Sequence, residues 1–313
     1  MESEFIKFGK NQITKEELLS PGHRACQGCG LSINVRLALK VLGRETFCCT
    51  PASCWSGVGS AYPDAAWEVT WMQTLFENVS PVAGGIDAAH RILEEKGKRA
   101  PQKVNIVCFA GDGATADIGL GSLSGTLERG HNIIYICMDN EAYMNTGIQR
   151  SSSTPHGAST STTPVGAIIK GQQTFKKNVP AIVADHDIPY VATACASYPF
   201  DYMAKVKKAA EVNGPAYIHV YSVCPTGWRS APELTVEIGK LAVETGVFPL
   251  WELEGGVYKL NVNPAKLKPV SELLKPQGRF RHLTESDIAD AQALVDKNWA
   301  ALQRKIAASK AAA

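Results

Sequence analysis

No stretch of the 313-residue chain approaches the about 18 consecutive apolar residues of a membrane span. The start, Met1-Glu2-Ser3-Glu4-Phe5-Ile6-Lys7, mixes charges and holds no apolar core, which argues against a secretory leader. The expected compartment is therefore the cytoplasm, with no membrane partner. Net charge is also scarce, +2 from 32 basic and 30 acidic residues, so nothing points to nucleic acid. There is no internal repeat. There is a single Cys-x-x-Cys, with no second copy and no ferredoxin-like Cys-x-x-Cys-x-x-Cys run. Nine cysteines, an odd number in a long chain without a leader, do not read as a disulfide framework.

What is present is an ordinary globular composition, 45% apolar and 20% charged, enough for one large α/β domain or two small ones. The amino-terminal arm is expected to carry a short helix, Thr14 to Leu19, with Thr14 as cap and Glu17 in the capping-box position. A loop with Cys26-Gln27-Gly28-Cys29 leads into an amphipathic helix, Ser32 to Leu42. Strands are expected at 46–50, 104–110, 133–138, 190–194 and 216–223, and helices at 76–96, 118–128 and 200–212. A glycine- and aromatic-rich loop fills 51–63. The Ser/Thr/Gly-rich stretch 145–165 could be a linker, but loops this long inside a domain are more often functional. It follows Asn140 closely, so a ligand-covering loop is favoured. The alternation of strand and helix predicts a doubly wound parallel sheet over residues 1–228. Residues 229–313 read as a C-terminal extension packed on the same domain or on partner subunits. It is irregular to about 280, with a hairpin near Gly255-Gly256, and then helical from Thr284.

Two constellations stand out. The strand Val104–Ala110 ends in Gly111-Asp112-Gly113, and the next strand ends in Asp139-Asn140. Ligands of open α/β sheets bind at such carboxyl edges, and oxygen groups beside a helix start suit Mg²⁺ carrying a diphosphate. Asp-Gly alone would be a turn. The 26 residues between Gly113 and Asn140 change that, because the pattern resembles the thiamine-diphosphate signature. That resemblance implies Asp112, Asn140 and the carbonyl of Ala142 as Mg²⁺ ligands. The second constellation is cysteine. Cys26-x-x-Cys29 could be half a zinc site, a redox dithiol or part of a [4Fe–4S] cluster, which needs four thiolates. Cys54 and Cys224 both follow expected strands, near the same edge as Asp112. Cys48, Cys49, Cys108, Cys137 and Cys195 lie in apolar runs and read as core.

Together these residues resemble the beta subunit of 2-oxoacid:ferredoxin oxidoreductases. The matching stretches are His23-Arg24-Ala25-Cys26-x-Gly28-Cys29-Gly30, Gly111-Asp112-Gly113, Asp117-Ile118-Gly119, Tyr143-x-Asn145-Thr146-Gly147, Thr154-Pro155-x-Gly157-Ala158, Cys224-Pro225-Thr226-Gly227-Trp228 and Ala242-Val243-Glu244-Thr245-Gly246. They span roughly 18–260. The resemblance implies thiamine diphosphate, Mg²⁺ and a [4Fe–4S] cluster on Cys26, Cys29, Cys54 and Cys224. It implies cofactor contacts from Gly111, Gly113 and Tyr143, and a substrate-side role for Asn145. The implied reaction is oxidative decarboxylation of a small 2-oxo acid, with electrons leaving one at a time through the cluster. The implied partners are an alpha-type subunit that completes the thiamine site, a subunit with two further [4Fe–4S] clusters, and ferredoxin. Whether coenzyme A takes part is left open.

The chain departs from the pyruvate-type pattern in three places: Ala52-Ser53-Cys54-Trp55-Ser56 replaces Thr-Gly-Cys-x-Glu, Gly57-Val58-Gly59 lacks an apolar contact, and Ile148 stands where glycine is usual. Oxalate and pyruvate are equally expected substrates. A non-redox thiamine carboligase or decarboxylase would leave the four cysteines unexplained, and a non-catalytic zinc- or nucleotide-binding module is the remaining alternative. His23 and His156 read as structural, and Arg24 and Arg150 as surface residues near a carboxylate or diphosphate.

Overall fold

The structure is a computed structural model and describes residues 13–60 and 63–312. Six strands run parallel: β1 (Thr46–Thr50), β2 (Thr70–Gln73), β3 (Asn105–Gly111), β4 (Ile134–Asp139), β5 (Tyr190–Cys195) and β6 (Ala216–Tyr221). A hairpin of β7 (Trp251–Glu254) and β8 (Val257–Leu260) extends one edge antiparallel. The order is β2-β1-β3-β4-β6-β5-β7-β8. Every residue of β4, β5 and β6 is buried, which is why these strands read as unbroken apolar runs rather than alternating ones.

The helices are α1 (Gly30–Leu42), α2 (Cys54–Gly59), α3 (Val79–Glu95), α4 (Leu120–Glu128), α5 (Val179–Ala184), α6 (Pro199–Glu211), α7 (Pro225–Trp228), α8 (Thr235–Glu244), α9 (Val270–Leu274) and α10 (Glu285–Ala312). They cover both faces of the sheet, with one apolar cluster holding α1 and α6 and another holding α3, α4 and α5. The doubly wound α/β class is the one expected. Cys48, Cys49, Cys108 and Cys137 are buried in these cores, and Cys195 is buried in a third apolar cluster. No helix among the described residues is long and apolar enough to cross a membrane.

Several elements differ from expectation, among them α2 inside the expected 51–63 loop and the unexpected α5. The helix at Thr14–Leu19 does not form. Leu18 and Leu19 are both buried in the first apolar cluster. The segment instead runs extended beside 66–68, where Leu19 bridges Trp67 and Ser20 N–H donates to the Ala66 carbonyl at 2.8 Å. Lys40 Nζ takes the carbonyls of Thr14 and Glu16. β2 went unread because Thr70-Trp71-Met72-Gln73 is an edge strand with little buried surface. The stretch 229–280 is also more regular than its prolines suggest, since α8 lies within it and Ile238 and Ala242 enter a third apolar cluster.

Glu17 ties the arm to α1 through Arg36, and the Arg36 hydrogen bond holds its carboxyl at about 2 rather than the ordinary 4.5. A depressed carboxyl contributes stability above its ordinary value and loses it as pH falls from 4.5 toward 2. Glu17 is about one-third exposed, so solvent screening holds the effect to about 1 kcal/mol or less. Chemical unfolding of Glu17→Gln should show a small loss at pH 7 and a flatter stability profile between pH 4.5 and 2 than the parent.

Candidate functional site

In sheet order, β1, β3, β4 and β6 are consecutive neighbours. Their carboxyl ends lead respectively to Cys54, Asp112, Asn140 and Cys224. The chain reverses its direction of travel across the sheet between β1 and β3, the kind of crevice where open α/β sheets bind ligands. A cavity of about 240 Å³ opens there. Gly111, Asp112, Gly113, Asn140, Ala142, Tyr143 and Asn145 all line it, together with Cys54.

The oxygen groups converge through one unusual turn. Glu141 lies between Asn140 and Ala142 with φ 68°, a left-handed conformation uncommon for a residue with a side chain. The side-chain oxygen of Asn140 faces the Asp112 carboxylate and the Ala142 carbonyl. Turned over, its nitrogen would donate to Asp112 Oδ1 at 3.0 Å and to the Ala142 oxygen at 2.8 Å. Neighbouring ligands of an octahedral Mg²⁺ at about 2.1 Å lie about 3 Å apart. The two spacings, Asn140 to Asp112 and Asn140 to the Ala142 carbonyl, fit neighbouring positions around such an ion.

Burial pushes the Asp112 carboxyl well above the usual carboxylate range, and Asp139 adds to the rise, while a 2.5 Å hydrogen bond from Ser151 Oγ opposes it. A bound cation would invert that balance. Asp139 is buried too. There, Lys176 Nζ at 2.5 Å and His219 Nε2 at 2.8 Å outweigh the burial and hold the carboxyl below its usual range.

Asp112 and Gly113 run into a π-type turn, Ala114–Ile118. Such turns recur at functional sites. This one leaves Asp117 accepting from Tyr143 Oη at 2.6 Å and from the Ser152 N–H at 3.1 Å. The fit is tight: a Cβ on Gly113 would sit 2.2 Å from the Tyr143 ring. The 145–165 loop is packed rather than loose. Ser151, Ser153 and Thr154 are buried, and Thr154 Oγ1 donates to the Glu141 carbonyl at 2.7 Å. Ile148 has φ 66°, a left-handed conformation that favours glycine.

The four cysteines arrive on three loops. Cys29 caps α1, Cys54 opens α2 and Cys224 caps α7. The first and third loops are joined by the Gly30 N–H donating to the Val223 carbonyl at 3.0 Å. A Cβ on Gly30 would lie 2.8 Å from Val223 backbone. Trp55, fully buried edge-on against Trp67, pins Cys54 to the sheet. Burial pushes the Cys54 thiol up to about 12, with Cys224, Cys29 and Cys26 adding to it, and pushes Cys224 up to about 11. Cys29 is raised by burial as well. Metal binding must therefore displace protons from these thiols. Among the described residues, no three His, Cys, Asp or Glu side chains surround a single ion.

Residues 56–220 match the family model described as thiamine pyrophosphate enzyme, C-terminal TPP binding domain. The chain is 54% identical to the pyruvate synthase subunit PorB of Methanothermobacter marburgensis, over 91% of this chain and 97% of that one. It is 48% identical to the ketoisovalerate oxidoreductase subunit VorB of Pyrococcus abyssi, over 92% and 93% respectively. The chain belongs to the beta subunits of the 2-oxoacid:ferredoxin oxidoreductases. Its fold is shared, at TM-score 0.59 and 22% identity over 92% of this chain and 99% of the other, with a 2-oxoglutarate:ferredoxin oxidoreductase from Magnetococcus marinus solved with 2-oxoglutarate, coenzyme A and succinyl-CoA bound.

Sequence reasoning about this beta subunit missed the groups behind the cavity wall. Ser151 on Asp112, and Lys176 and Arg279 on Glu141, come from segments without motif or periodicity. The one available signal was Asp139-Asn140-Glu141 itself, charge placed at the end of an apolar strand and needing partners. Gly113→Ala should cost about 1–3 kcal/mol, because the new methyl displaces Tyr143. Gly111→Ala, with nothing within 4 Å of the added carbon, should change stability by under about 0.5 kcal/mol. Thermal unfolding of the two variants side by side checks the contrast.

Proposed function

We propose that this beta subunit holds Mg²⁺ and thiamine diphosphate through Asp112, Asn140 and the Ala142 carbonyl, carries a [4Fe–4S] cluster on Cys26, Cys29, Cys54 and Cys224, and serves oxidative decarboxylation of pyruvate. One observation carries the reading: a single cavity joins the three converging oxygens to Cys54. When bound, the thiamine ring supplies an electron sink for decarboxylation, and the cluster accepts electrons. The chain's own residues bind and orient. Ser151 steers the Asp112 carboxylate, Asp117 fixes the Tyr143 ring against the cavity, and Asn145 offers its amide to substrate.

The rest of the wall is mainly apolar or small, including Ala52, Phe76, Ala114 and Met144, with no Lys or Arg among the described residues. A methyl group suits such a wall, whereas the second carboxylate of oxalate would meet no cation among the described lining residues. The names of the relatives above point the same way.

Among the described residues the lining also contains no glutamate to tune the aminopyrimidine, and the cavity is smaller than the about 300–1,000 Å³ of a complete small-molecule site. Both support a site completed by an alpha-type subunit. Leu75 and Ile118, next to Phe76 and Asp117, are exposed apolar residues that such a subunit would cover. A further subunit with two [4Fe–4S] clusters, ferredoxin as acceptor and coenzyme A as co-substrate complete the proposed assembly.

The test uses the assembled complex, prepared anaerobically, with a viologen dye as acceptor. Pyruvate should be oxidised faster than 2-oxoisovalerate, with oxalate near background, and the protein should be brown and contain iron. Dye reduction by oxalate but not pyruvate would overturn the substrate assignment. A colourless, iron-free complex would overturn the cluster. Asp112→Ala should lose at least about 90% of bound thiamine diphosphate, since one charged ligand is worth more than a tenfold change in affinity.

A further inference from the structure

Trp228 touches both poles of this site. Its backbone N–H donates to the Cys224 carbonyl at 2.9 Å, closing the one-turn helix α7 that Cys224 caps. Its indole Nε1–H donates to the Asn140 carbonyl, also at 2.9 Å. The side chain is fully buried. The Arg279 guanidinium lies 4.1 Å from the centre of the ring and donates to Glu141 Oε2 at 2.5 Å. Asn140, Trp228, Arg279 and Glu141 thus form a closed circuit. The backbone of 278–279 fixes it further. Gly278 N–H donates to the Arg229 carbonyl at 3.1 Å, and the Arg279 carbonyl accepts from Ser159 N–H at 3.0 Å.

Packing alone does not call for this arrangement. Arg279 is 3% exposed, and burying a guanidinium is costly unless it is paired, so an apolar side chain would fill the space at less expense. The buried charge does what an apolar residue cannot. It grips the left-handed residue between Asn140 and Ala142 and stacks on the ring that hydrogen-bonds Asn140. Removing the indole N–H would leave a buried carbonyl without that donor.

We infer that Trp228 and Arg279 are positioning residues that hold Asn140 and Cys224 in fixed register, so that the metal–diphosphate end and the cluster end of the site respond to one strut. This rests on the reading of the two poles in the preceding subsection. Trp228→Phe keeps an aromatic ring under the guanidinium and deletes the N–H. In the purified complex, the thiamine diphosphate concentration for half-saturation, measured by binding at fixed Mg²⁺, should rise about tenfold. The EPR spectrum of the dithionite-reduced cluster should shift while iron content stays at the parent value. Arg279→Met should move both readouts, and Arg279→Lys, which restores charge toward Glu141, should recover most of the change.

A merely structural role would lower thermal stability and leave half-saturation and EPR spectrum at parent values in iron-replete complex. That result in Trp228→Phe overturns the strut. If Trp228→Phe does not assemble, the Arg279 pair decides by the same criteria. Asp112→Ala run alongside separates the two ideas. Parent-like cofactor binding there overturns the site assignment itself, whereas lost binding there with unaltered Trp228→Phe and Arg279→Met overturns the strut alone.

Discussion

The geometry of the cavity depends on how Glu141 is held. A left-handed backbone costs a residue with a side chain about 1–2 kcal/mol, and here it lies between the side chain of Asn140 and the carbonyl of Ala142. Two buried or partly buried cations offset that cost, Lys176 at 2.8 Å and Arg279 at 2.5 Å, one from the segment before α5 and one from the C-terminal extension. Thr154 holds the same residue through its carbonyl. Three parts of the chain therefore converge on one peptide turn, beside which the Asn140 side-chain oxygen faces both Asp112 and the Ala142 carbonyl.

The sheet explains why the other functional residues fall into place. Four adjacent parallel strands present four carboxyl ends in a row, so each loop that follows needs only to be short and correctly started. Ser53 and Ser56 form a capping box that starts α2 at Cys54. Gly111 leads Asp112 off β3, and Pro225 starts α7 after Cys224. All four cysteines lie outside residues 56–220, the span that matches the thiamine-binding family model. Asp112, Asn140 and Ala142 thus lie inside that span, and the cysteines flank it on both sides in sequence.

Much of this was legible before any coordinates. The central strands read correctly because burial on both faces leaves no polar residues to blur them. The residues that share the cavity stood out because Gly111-Asp112-Gly113 and Asn140 terminate those strands at a recognisable spacing. What stayed hidden has a common physical cause. β2 lies at an exposed edge, and the arm at 14–20 buries adjacent leucines by running extended. Lys176, Arg279 and Ser151 act through tertiary contacts that no local pattern announces. Local chemistry was visible in sequence, whereas the supports that orient it belong to the folded chain.

Cys54 is both a wall of the cavity and the first residue of α2. A cluster bound through it would share that wall with the reaction chamber, with no layer of protein in between. Anything small enough to enter the chamber, dioxygen included, would meet a metal-bound sulfur directly. The contiguity that would shorten an electron's path would thus also remove such a cluster's shelter. Its protection would fall to whatever closes the chamber, and tolerance of air would become a property of the lid rather than of the metal site.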